Sequence, residues 1–60
     1  MYLPQDKNIL FSMLNTYLRD KYKSLDEFCL DNDINKKSLI EDMLSFGFIY
    51  DKNLNQFIGK

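Results

Sequence analysis

The chain offers few side chains that could do chemistry. Neighbouring carboxylates occur as Asp31 with Asp33 and as Glu41 with Asp42. Oxygen donors of this kind are what a magnesium or calcium ion takes. The same residues are ordinary turn formers and solvated helix charges, and that reading is preferred here. There is no histidine, and Cys29 is the only cysteine. Their scarcity removes the commonest general base, nucleophile–histidine catalysis, a Cys/His zinc site and an internal disulfide. The two glycines, Gly47 and Gly59, make no phosphate-cradling loop. The expectation is a protein with no catalytic residues, no metal, no cofactor and no small-molecule substrate.

What remains is a set of cations. Lys23, Lys36, Lys37 and Lys52 each stand beside a turn or a helix start. Lysines so placed can meet phosphates, helped by the open amides of a helix N-terminus. Asn35, Lys37 and Ser38 are of types that can approach base edges in a major groove. The opposing features are Asp26 and Glu27 on the same side, acidic Glu41-Asp42 further along, and no arginine for bidentate contact with guanine. With a formal net charge of −1, no overall field draws the chain to a polyanion. Any attraction is local, and duplex binding should be weak and salt-sensitive.

These residues need elements to position them. Leu3-Pro4-Gln5 is an extended lead-in, and Asp6 is a good N-cap. Ile9, Leu10, Met13, Leu14, Tyr17, Leu18 and Tyr22 recur at steps of three and four, which predicts a helix over about 6–22 with one apolar stripe. Ser12, Asn15, Thr16 and Arg19 fall on its other side, and Phe11 at the stripe's edge. Ser24 and Glu27 form a capping box for a second helix over about 24–32, with Leu25, Phe28 and Cys29 on one face. Asn32-Asp33 stops it, since both types tolerate the left-handed backbone of a tight exit. Asn35 caps a third helix, about 35–46, with Leu39, Ile40, Met43 and Leu44 inward and Gly47 just past its end. The period then changes. Phe48 and Tyr50 alternate around Ile49, and Phe57-Ile58 follow a polar loop, which predicts a hairpin over about 48–58.

The spacing within 25–43 matches a helix-turn-helix, with Ile34 as the apolar plug of the turn. Two positions depart from that pattern. Asn32 stands where an apolar residue is usual, and Asp33 replaces the usual glycine. The fold expected is mainly α: one three-helix, helix-turn-helix-like domain over 1–60, with a short C-terminal β-hairpin as a miniature wing.

Four segments carry a resemblance to a family. LPQD near the start, NTYLRD at 15–20, YKSLDEFC at 22–29 and GFIYDKNLNQF at 47–57 resemble a group of short bacterial domains of unknown function. The resemblance implies a small bacterial intracellular protein and supplies no catalytic residues.

Composition sets the remaining bounds. Sixty residues with 45% hydrophobic and 15% aromatic content suit one compact core rather than disorder. The opening MYLPQDKN, with no basic stretch followed by an apolar run, is not expected to act as a signal peptide, and no apolar run is long enough to span a bilayer. A lone cysteine fits the reducing cytoplasm. Cys29 is expected to be an inert packing residue, and Arg19 to bridge to Asp26 or Glu27. The tyrosines should close the core's rim with their hydroxyls wet. Double-stranded DNA is the first partner expected. The alternative is a protein-interaction module, a homodimer or an adaptor, using any apolar surface of the first helix that the rest leaves uncovered.

Overall fold

Capping side chains set where each helix begins in the computed structural model, which describes residues 2–60. Helix α1 runs Lys7–Asp20, α2 Leu25–Asp31 and α3 Lys36–Ser45. Strands β1, Phe48–Asp51, and β2, Gln56–Gly59, pair antiparallel. The molecule is therefore mainly helical, with a C-terminal two-stranded sheet. Asp6 Oδ1 accepts from the amides of Asn8 and Ile9, Ser24 from Glu27, and Asn35 from Ser38. Each cap satisfies first-turn donors that have no partner within the helix. The Ser24 box is one-armed, because among the described residues the Ser24 N–H donates no hydrogen bond to the Glu27 carboxylate.

The stop after α2 has defined hydrogen bonds. Asp33 adopts φ 55°. Its amide donates to the Leu30 carbonyl at 3.4 Å, and the Ile34 amide to the Cys29 carbonyl at 2.9 Å. This pair of bonds is a Schellman exit, and it turns the chain so that Ile34 packs, half-buried, on the core. Asn32, the polar departure, is half-buried too. Its amide nitrogen donates to the Phe28 carbonyl at 2.9 Å and to the Tyr22 hydroxyl at 3.2 Å. The side chain thus joins the end of α2 to the Tyr22 hydroxyl, with its own amide nitrogen bonded.

Leu10, Leu14 and Leu18 carry the α1 side of the core, against Phe28 of α2, Met43 of α3 and Phe57 of β2. Full burial of such side chains stabilises by about 1.5–3 kcal/mol each. Two stripe residues are not buried as expected. Ile9 is 59% exposed, because it lies about 100° round the helix from the Leu10–Leu14–Leu18 line that α2 and the hairpin cover. Leu44 is 43% exposed, since it points beside β1 rather than beneath it with Met43.

Candidate binding groove between α2, α3 and the hairpin

One open groove, of about 730 Å³, runs between the start of α2, the length of α3 and β1. Its apolar side comes from Ile40 and Leu44 of α3 and from Phe48 and Ile49 of β1. Lys36, Ile40 and Leu44 are spaced by four, so one row of α3 faces it. Lys23, Lys36 and Lys52 stand on its rim. Gly47 explains the shape. With φ at +94° it lets the chain leave α3 sharply, and its amide donates to the Leu44 carbonyl at 3.0 Å. Strand β1 therefore starts beside Leu44 and runs back towards the start of α3. Eight residues of helix span about 12 Å and four of strand about 13 Å, which brings Lys52 to the Lys36 end. One end of the groove carries the three lysines against one carboxylate, Asp26, and the other end is apolar.

Three of the six residues expected to bind line this groove, and three do not. Lys23, Lys36 and Lys52 share it, although they come from the α1–α2 link, α3 and the hairpin turn. Asn35, Lys37 and Ser38 are exposed outside its lining. Asn35 Oδ1 is taken up by the Ser38 amide at 2.9 Å, so that oxygen caps its own helix. Lys36 Nζ lies 2.8 Å from Asp26 Oδ1, and this hydrogen bond raises the lysine above its ordinary pKa. Both partners are solvated, so the pair is weak and open to exchange. Arg19 does not bridge to α2 as expected. It pairs with its neighbour Asp20 at 2.8 Å, holding that carboxyl below its usual range.

The groove's walls are fixed by polar contacts that periodicity does not mark. The Tyr50 hydroxyl donates to Asn55 Oδ1 at 2.6 Å and accepts from the Leu25 amide at 3.3 Å. Asn55 Nδ2 donates to the carbonyls of Leu18 and Tyr22, at 2.9 and 3.0 Å. One asparagine thereby ties the hairpin to the last turn of α1, where carbonyls lack helical partners. Asn15, expected on a solvated side, is half-buried and clasps β2. Its Nδ2 donates to the Phe57 carbonyl at 3.0 Å, and its Oδ1 accepts from the Phe57 amide at 2.7 Å. The only sequence signal was that both asparagines lie within the motif segments NTYLRD and NLNQF. The tyrosine hydroxyls are not uniformly wet either. Tyr22 is buried and donates to Asp31, whereas Tyr2 is 86% exposed and closes nothing. Cys29 is buried, and burial pushes its thiol up, as an inert packing residue requires.

The family model of a domain of unknown function, DUF4250, matches residues 4–57. The chain belongs to that family. The DUF4250 match takes in every element up to Phe57 and all of the groove's lining. Comparison with curated proteins and with solved structures finds no match. No helix among the described residues is long and apolar enough to cross a membrane.

Proposed function

We propose that this DUF4250 chain is a small non-enzymatic binding module of the cytoplasm, and that its groove takes a segment of another protein. The observation that carries this is the pairing of an apolar floor, Ile40, Leu44, Phe48 and Ile49, with a rim of three lysines. Apolar surface gains from covering apolar side chains and gains little from a phosphate backbone. The lysine rim steers an acidic partner and limits its choice.

A helix-turn-helix that meets duplex DNA is the second reading. It is favoured by the convergence of Lys23, Lys36 and Lys52 where a wing and a third helix would straddle phosphates. Against it stand the Asn35 oxygen committed to its cap and the exposed acids Glu41 and Asp42 on α3.

Lys37 separates the two. It lies on α3 but outside the groove, whereas Lys52 lies within it. In the protein-binding reading, Lys52→Glu weakens capture of acidic peptides and Lys37→Glu leaves it unchanged. In the DNA reading, the folded chain retains labelled duplex at low salt, and Lys36→Glu with Lys37→Glu abolishes this. A folded chain that holds duplex and no acidic peptide overturns the first reading.

A further inference from the structure

We propose that the groove's occupant is an extended peptide with apolar residues at one end and carboxylates at the other, bound as a third strand on the free edge of β1. This rests on the groove being a protein-binding site and adds how the partner is held.

The phase of the hairpin decides which main-chain groups face out. Phe48 faces Gly59, Ile49 faces Ile58, Tyr50 faces Phe57 and Asp51 faces Gln56. Opposed residues in an antiparallel pair alternate between exchanging main-chain hydrogen bonds and turning those groups outward. The Lys60 amide donates to the Gly47 carbonyl at 2.8 Å, which sets Gly47 with Lys60 as a bonded pair. The alternation then makes Ile49 with Ile58 bonded and turns Phe48 and Tyr50 outward on β1. On β2 it turns Phe57 and Gly59 outward. Asn15 confirms the phase, because its amide meets the Phe57 N–H and C=O from outside the sheet.

The two edges are therefore unlike. On the β2 edge the Asn15 side chain takes up both main-chain groups of Phe57, the outward residue in the middle of the strand. The β1 edge presents the N–H and C=O of Phe48 and of Tyr50, and no hydrogen bond reaches these four groups among the described residues. That edge borders the groove, since Phe48, Ile49 and Tyr50 line it. An added strand lies about 4.8 Å from its neighbour, which places it along the groove side of β1, beside Ile40 and Leu44. Main-chain bonds to Phe48 and Tyr50 would hold it. Its side chains would meet Leu44 at one end and Lys36, Lys52 and Lys23 at the other. The unpaired backbone selects an extended chain, and the charge at one end selects its acids.

The test uses the full chain, labelled with nitrogen-15, and blocked hexapeptides of valines followed by glutamates, made in both orders. Each is compared with a twin N-methylated at alternate residues, which keeps its side chains but loses strand hydrogen bonds. The expected result is that one order shifts the groove amides and slows hydrogen exchange at Phe48 and Tyr50 about tenfold. Ile49, already bonded within the hairpin, changes little, the N-methyl twin does not bind, and Lys52→Glu weakens binding severalfold. Equal binding of the twin in the groove overturns strand addition and leaves the protein-binding reading standing. No shift from any peptide overturns both. Shifts from duplex DNA alone assign the groove to nucleic acid. Slowed exchange that follows chain concentration without peptide gives the edge to a second copy.

Discussion

Asn55 serves three partners with one side chain, and all three join the hairpin to other parts of the fold or brace its ring. Truncating it leaves the Leu18 and Tyr22 carbonyls and the Tyr50 hydroxyl short of a partner. Asn55→Ala should therefore cost about 2–3 kcal/mol, measured by urea unfolding, and Asn55→Asp should cost a similar amount by removing the donor. In a domain of this size that is a large share of the total. Cys29 contributes a pH dependence on the alkaline side. Burial holds its folded pKa above the unfolded value, so the unfolded chain releases this proton first as pH rises. The contribution is fully present below the ordinary thiol range and is lost as pH climbs through about 8.5 towards the folded value. Urea midpoints should fall across that window, and Cys29→Ala should flatten the fall. The buried thiol should also react with alkylating reagents about a hundredfold more slowly than in the unfolded chain.

At the scale of elements, the exit from α2 is the sharpest case. Asp33 holds a left-handed conformation at φ 55° and is exposed. Asp33→Gly should stabilise by about 0.5–1 kcal/mol, seen as a higher melting temperature. Gly47→Ala should do the reverse. A methyl group there meets nothing within 4 Å, so its cost, about 1–2 kcal/mol, is conformational alone. Both positions were legible in the sequence, as were Asp6, Ser24 and Asn35, because caps and turns are decided by neighbours a few residues away. The change of period at Phe48 was legible for the same reason. Ile9, Leu44 and Asn15 were misplaced because what covers a helix face is settled by elements distant in the chain. Asn15 and Phe57 are 42 residues apart, and no periodicity records such a bridge. The candidate site was half legible. Local sequence put lysines beside turns, but only the fold brings Lys23, Lys36 and Lys52 together and leaves Lys37 outside.

At the scale of the whole molecule, charge does little for stability. The ion pairs among the described residues are Arg19–Asp20 and Lys36–Asp26, both solvated. Molar sodium chloride should screen them without shifting the unfolding free energy by more than about 0.5 kcal/mol, whereas any acidic peptide in the groove should be released by the same salt. A urea series with and without salt checks the first part. What holds the chain together is its core, within a radius of gyration of 10.3 Å. The clasp of Asn15 on Phe57 also bears on how the protein behaves when crowded. A two-stranded ribbon normally has two sticky margins, and repeated joining along both is how fibres grow. Here the middle of one margin, at Phe57, is occupied by an amide borrowed from a helix. Molecules that meet along the other leave outermost a margin whose central rung is already taken, which works against growth beyond a pair.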